Sequence, residues 1–328
     1  MVVRVLAHFT PGRQARELVA AEADWLEVRF CADDDSPESL AALQRELPGA
    51  EVIWHVLRPL TESDLAAATR LRLVQKLGAG VNTVDVAAAT ARGVAVSNMP
   101  GANAPSVAEG TVALMLAALR RLPALDHATR TGAGWPPDPG LGDTVRDIGG
   151  STVGLIGYGN VAQRVAAIVA AMGARVLHTS TGDDGRPGWR PLPDLLAASD
   201  IVSLHLPLTD ATHQLLDADA LARLRPGAVL VNTARGPIVD EAALIEALRS
   251  GRVAAAGLDV FDTEPVDPAN PLLALPNVVL SPHVTWYTVD TMRRYLAAAI
   301  DNCRRLRDGE QLANVVNTVD IPNRPVNR

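Results

Sequence analysis

Short apolar runs alternating with stretches of helical spacing dominate the first hundred residues. Residues 2–7, 52–57, 73–77 and 94–98 predict strands, and residues 37–47 and 61–68 predict helices. Strands that alternate with helices build a parallel sheet, because parallel neighbours need a long crossover connection.

The stretch 106–121 is long and rich in Ala and Leu, with Ser106 placed as an N-cap and two arginines in the last turn, and predicts a buried helix linking two domains. Residues 132–150 are dense in Gly and Pro around Trp135 and predict an irregular loop. A second strand–helix series then opens. Strands are expected at 152–156, 175–178, 201–206, 228–233, 254–259 and 278–281, with a helix over 160–172 whose apolar face is Val161, Val165, Ile168 and Met172. A basic helix is expected over 290–307.

At 328 residues the chain is long enough for two domains. Hydrophobic residues make up 48% and charged residues 20%, which excludes intrinsic disorder. The net charge of −7, without a basic run, argues against nucleic acid or an anionic membrane as partner. No apolar run is long enough to span a bilayer, and a cytoplasmic location is expected. Cys31 and Cys303 lie far apart without CxxC spacing and read as buried or inert thiols.

Chemistry enters at Gly154-Leu-Ile-Gly157-Tyr158-Gly159-Asn160-Val161-Ala162, a G-x-G-x-x-A word set between a predicted strand and a predicted helix. Gly157 permits the tight turn, Gly159 lets the backbone approach a pyrophosphate, and the helix after it points its amides at that group. An NAD-binding unit places an acid about 20 residues on, at the end of the second strand, to hold the ribose hydroxyls. Ser180 stands there instead. Unless Asp183 or Asp184 folds back, nothing repels a 2′-phosphate, and Arg186 reads either as its partner or as a solvated loop charge.

Three further words lie downstream: Val231-Asn-Thr-Ala-Arg235-Gly-Pro, Gly257-Leu-Asp259-Val-Phe-Asp-Thr-Glu264-Pro265 and Leu280-Ser-Pro282-His283. With the glycine turn, with Gly78-Ala-Gly80-Val-Asn-Thr-Val-Asp85, Ser106-Val-Ala-Glu109 and His205-Leu-Pro207-Leu-Thr209, the chain resembles the D-isomer-specific 2-hydroxyacid dehydrogenase family along nearly its whole length.

The resemblance implies an α/β fold of two Rossmann-like domains with parallel, doubly wound sheets. The dinucleotide domain, 100–287, would be inserted into a discontinuous substrate domain made of 1–99 and 288–328. It also implies a homodimer and NAD(P)-dependent interconversion of a small 2-oxo acid and its D-2-hydroxy acid.

Arg235, Glu264 and His283 become the catalytic set. An Arg fork suits a carboxylate and its neighbouring carbonyl. His283 is the acid/base, and Glu264 fixes its tautomer and favours the imidazolium. Leu77 and Gly78 are assigned to a substrate-carboxylate loop whose amides bind an anion. Cofactor contacts fall on Gly157, Tyr158, Gly159, Asn160, Val161 and Ser180, and on Ser106, His205, Pro207, Thr233, Ala234 and Asp259, the last near the nicotinamide amide.

Two departures stand out. Ser180 tips the cofactor from NAD alone toward tolerance of NADP. Val284-Thr285-Trp286-Tyr287 replaces the small residues usual after Pro282-His283, which puts an indole near the active site. The other histidines show no metal-ligand spacing, and no metal is expected. Two rival readings are a dinucleotide-sensing corepressor-like protein, separated by measurable turnover, and a phosphite- or formate-type dehydrogenase on the same fold, separated by a substrate panel.

Overall fold

The structure is a computed structural model that describes residues 2–136 and 138–319. Its contacts divide the chain into two units, one running to Asn103 and resuming at Tyr287, the other Ala104–Trp286.

The first unit holds five strands, β1 (Val3–His8), β2 (Leu26–Cys31), β3 (Val52–His55), β4 (Leu73–Lys76) and β5 (Ala95–Ser97). All pair in parallel, in the order β2-β1-β3-β4-β5. β2 and the helix Arg13–Ala20 before it were not expected from the sequence; in Leu-Glu-Val-Arg-Phe-Cys only the end residues Leu26 and Cys31 are buried, as befits an edge strand. The helices start where side chains can satisfy their first amides. Ser36 accepts from Ser39 N ahead of Pro37–Glu46, and Thr61 and Asp64 form a reciprocal capping box ahead of Glu62–Ala67.

The discontinuity of this unit rests on the helix Val289–Asp308, capped by Thr288 and stopped by Gly309 at φ 72°. Its buried Asn302 reaches Gln75 Oε1 at 2.6 Å and Ser97 Oγ at 3.1 Å, which binds the helix to β4 and β5. The chain after it runs along β5, with a bridge from Ser97 to Val315 and Val316 N donating to Val96 O.

The second unit holds β6 (Thr152–Ile156), β7 (Arg175–Thr179), β8 (Ile201–Leu204), β9 (Ala228–Asn232), β10 (Val253–Leu258) and β11 (Val278–Leu280), parallel in the order β11-β10-β9-β8-β6-β7. Its strands are apolar on both faces because both faces are covered. Ile156, Val202, Leu204 and Leu230 enter one core, while Val153, Leu155, Ile201 and Val231 enter the other. In each unit the strand order reverses beside the first strand, and in open α/β sheets that switch point, at the carboxyl ends of the strands, is where ligands bind.

Several expected details are corrected. The long helix is Ala104–Leu119, so Ser106 lies inside its first turn and is buried rather than acting as N-cap, and Arg120 and Arg121 lie beyond its end. Arg121 turns into left-handed backbone at φ 52° and a separate helix, Leu122–Arg130, begins. Within 132–150 one helical turn, Leu141–Thr144, forms. The helix Asn160–Ala171 buries Ala162, Val165, Ala166 and Val169, leaving Met172 well exposed. Its sheet-facing stripe is thus lined partly by alanines, which permit close helix–sheet packing but weigh little in a hydrophobic pattern. Both cysteines are free and buried, and burial pushes the Cys303 thiol up to about 12. No described helix is long and apolar enough to cross a membrane.

Candidate active site and dinucleotide cradle

The glycine turn leaves β6 at the switch point of the second unit. Gly157 takes φ 89°, and a Cβ there would lie 2.5 Å from the carbonyl oxygen of His205, at the end of the neighbouring β8. Only glycine tolerates both the positive φ and the contact. Gly159 N-caps the helix Asn160–Ala171 without a side-chain cap, and a Cβ on it would meet nothing within 4 Å. An open approach to the first amides of a three-turn helix is what a pyrophosphate requires, so these residues fit a dinucleotide. His205 itself faces inward, its Nε2 2.9 Å from Ser203 Oγ, and burial drives its pKa down to about 3. Its ring is therefore a neutral internal group, and its backbone forms the floor under the turn.

At the end of β7, Ser180 Oγ donates to Gly182 O at 2.7 Å. Asp184 does fold back, but onto His178, whose Nε2 lies 3.2 Å from both carboxylate oxygens. The face of the His178 ring stacks on Tyr158 at 3.8 Å, and the Arg186 guanidinium lies 5.5 Å from the centre of the Tyr158 ring. The strand end thus presents a serine and a guanidinium layered on an aromatic pair. Pro207 is exposed, its carbonyl accepting from Thr212 Oγ1.

The catalytic candidates sit at the ends of β9, β10 and β11. Asn232, buried at the end of β9, accepts from Ala234 N and donates to Arg235 O, holding the turn that presents Arg235. Thr233 Oγ1 lies 2.7 Å from Thr111 Oγ1 on the helix Ala104–Leu119. Burial pulls Arg235 below the ordinary guanidinium value, and Glu264 opposes this.

His283 Nδ1 lies 2.7 Å from Glu264 Oε2, while Glu264 Oε1 accepts from Phe261 N at 3.0 Å. Burial pushes the Glu264 carboxyl up. The His283 hydrogen bond and charge, the Phe261 amide and Arg235 outweigh it, and the group stays below the usual carboxylate range. Glu264 is therefore ionised at neutral pH and orients the ring that it accepts from.

Asp259 is fully buried. Its Oδ1 accepts from Ser281 Oγ and from Val284 N, and its Oδ2 from Thr285 N and Thr285 Oγ1. The carboxylate expected beside the nicotinamide amide is thus engaged with the segment that carries His283, on both sides of that residue.

In the first unit, Leu77 N donates to His55 O at 2.9 Å, so that amide is engaged within the sheet rather than open to a substrate carboxylate. Sequence reading missed the buried Lys76 just before it. Lys76 Nζ donates to Val56 O, to Thr83 Oγ1 at 2.9 Å and toward His55 Nδ1 at 3.3 Å. His55 Nε2 donates to Arg58 O, and burial together with Lys76 holds its pKa well down. A lysine inside an apolar strand, in Leu73-Val-Gln-Lys76, was the available signal. Asn232 and Thr285 were likewise legible only as polar residues flanking apolar strands.

A parallel α/β unit with a glycine turn at its switch point and a carboxylate–imidazole pair beside a half-buried arginine defines the class of nicotinamide-dependent oxidoreductases. Comparison with known proteins agrees. The family described as D-isomer specific 2-hydroxyacid dehydrogenase, NAD binding domain, matches residues 112–285. Glyoxylate reductase of Aeropyrum pernix is 40% identical over 293 residues, 85% of this chain and 86% of that protein. D-3-phosphoglycerate dehydrogenase of Mycobacterium tuberculosis is 41% identical over 92% of this chain, which spans 57% of that protein's length. Among solved structures, an NADPH-dependent glyoxylate/hydroxypyruvate reductase of Sinorhizobium meliloti, in complex with NADP and malonate, superposes with a TM-score of 0.81 at 30% identity, covering 96% of this chain and 97% of its own. The chain belongs to the D-isomer-specific 2-hydroxyacid dehydrogenase family and is an NAD(P)-dependent oxidoreductase of 2-oxo acids.

Proposed function

We propose that the protein reduces a small 2-oxo acid to the D-2-hydroxy acid, with His283, Glu264 and Arg235 as its catalytic set and with NADPH accepted alongside NADH. The observation that carries the reading is the 2.7 Å bond between His283 Nδ1 and Glu264 Oε2. It favours the ring proton on Nδ1 and leaves Nε2 as the nitrogen that exchanges a proton with the substrate oxygen.

A bound nicotinamide supplies the hydride. Arg235, half-buried and held by Asn232, grips the carboxylate and the carbonyl oxygen as a fork. His283 delivers a proton to that oxygen through Nε2 as negative charge develops on it, and Glu264 stabilises the imidazolium before that transfer. In the reverse direction the same ring takes the proton from the hydroxyl. Gly78, with its backbone amide, is the first-unit residue assigned to the substrate carboxylate.

The cofactor reading rests on Ser180 and on Arg186 above Tyr158, where a 2′-phosphate meets hydroxyl and guanidinium rather than an acid. The dinucleotide is assigned to 100–287 and the substrate unit to 1–99 with 288–328. A homodimer and a cytoplasmic location go with the reading. Chirality of the product tests it: pyruvate and NADPH should yield lactate of the D configuration, and L-lactate would overturn the assignment.

A further inference from the structure

The proposed chemistry gives Trp286, three residues beyond His283, no task. Its place is specific. The indole Nε1–H donates to the carbonyl oxygen of His283 at 2.8 Å. His283 stands at φ 55°, a left-handed conformation that a residue with a Cβ keeps only where its surroundings over-determine it.

Contacts on both sides supply that constraint. Ahead of His283, Ser281 is tied to Asp259, and His283 N donates to Ser281 O at 3.1 Å. Behind it, the amides of Val284 and Thr285 donate to the same carboxylate. The Thr285 side chain packs against Gly110 so closely that a Cβ there would come within 2.8 Å of it, which fixes this stretch against the helix Ala104–Leu119. The bond from Trp286 reaches the carbonyl end of the same peptide unit whose Val284 amide is held by Asp259, so the plane that follows His283 is fixed at both its oxygen and its N–H.

We propose that Trp286 is a positioning residue for His283: its indole N–H pins the His283 carbonyl, keeps the residue left-handed and thereby holds the ring on Glu264. The role rests on the reading of His283 as the acid/base, and it differs from that of a residue forming a wall of the substrate pocket.

Trp286→Phe keeps the aromatic bulk and removes the N–H; Trp286→Met removes it as well and serves if the Phe variant does not fold. The test pairs two measurements on the full chain. The first is the ring-nitrogen signature of His283 in [¹⁵N]histidine-labelled protein, assigned by its loss in His283→Asn and read at a pH where the ring is neutral. The parent should show a protonated-type Nδ1 and an unprotonated-type Nε2, and the variant should show the two nitrogens drawn together, as the ring leaves Glu264 and samples both tautomers. The second is turnover, where kcat should fall about tenfold to a hundredfold with KM and NADPH affinity within about twofold of the parent.

An unchanged nitrogen signature overturns the proposal, and so does a raised KM with kcat intact, which is the mark of a pocket wall. If the parent turns over no 2-oxo acid, the functional reading fails on its own, and the nitrogen signature still decides the role of Trp286.

Discussion

His283 and Asp259 are joined without touching: the buried Asp259 carboxylate takes hydrogen bonds from Ser281, Val284 and Thr285, the residues on either side of the histidine. The His283 ring thus stands on a short span anchored at both ends. Its orientation comes from Glu264, and its foundation comes from the end of β10.

Arg235→Lys keeps the charge but loses the fork. KM for the 2-oxo acid should rise by about tenfold or more and kcat should fall with it, because one ammonium cannot hold carboxylate and carbonyl in a single plane. Steady-state kinetics at saturating cofactor check this, and an unchanged KM would place the carboxylate on other groups.

Ser180→Asp tests the cofactor reading. A carboxylate at the end of β7 should repel a 2′-phosphate and offer the ribose of NADH an acceptor, moving the kcat/KM ratio toward NADH by about tenfold or more. Asp184 is held on His178 and the Arg186 amide, so the new acid would stand alone. An unmoved ratio would mean that Ser180 does not face the ribose.

Two inward-facing histidines predict how stability depends on pH. His205 in one unit titrates at about 3 and His55 in the other lies well below 6.5, both because burial penalises the charged ring. Folded rings stay neutral while unfolded rings take up protons below about 6.5, so the stability they confer is complete above that pH and is lost as the pH falls beneath it. Between about pH 7.5 and 5.5 each should cost about 1 kcal/mol. Urea unfolding at the two pH values reads this out, and His205→Gln should remove the share of the second unit. A midpoint that does not move between them would contradict the burial of both rings.

What was legible in the sequence had a residue type tied to a backbone need. The Gly157 turn needs a positive φ, and the strands between cores need unbroken apolar runs, so both were readable. The helix Ala104–Leu119 was placed two residues late because Ser106 resembles a cap, yet it is buried inside the first turn. The contact face of Asn160–Ala171 was shifted because Ala162 and Ala166 pack as tightly as valines but weigh little in a hydrophobic pattern. Asp259 was placed by family resemblance at the nicotinamide, and its fourfold engagement with 281–285 depends on a contact 22 to 26 residues away that no local pattern encodes. Lys76 and Trp286 were visible as letters, but their partners were not.

The role of His283 is tested most directly by oxidation of NADH and NADPH by the parent and by His283→Asn, with glyoxylate, hydroxypyruvate, pyruvate and phenylpyruvate as acceptors. The parent should reduce at least one of them, and the variant should lose about 10²- to 10⁴-fold in kcat while binding NADPH as tightly as before. A variant that keeps full turnover at neutral pH would remove His283 from the proton transfer and contradict the proposed mechanism.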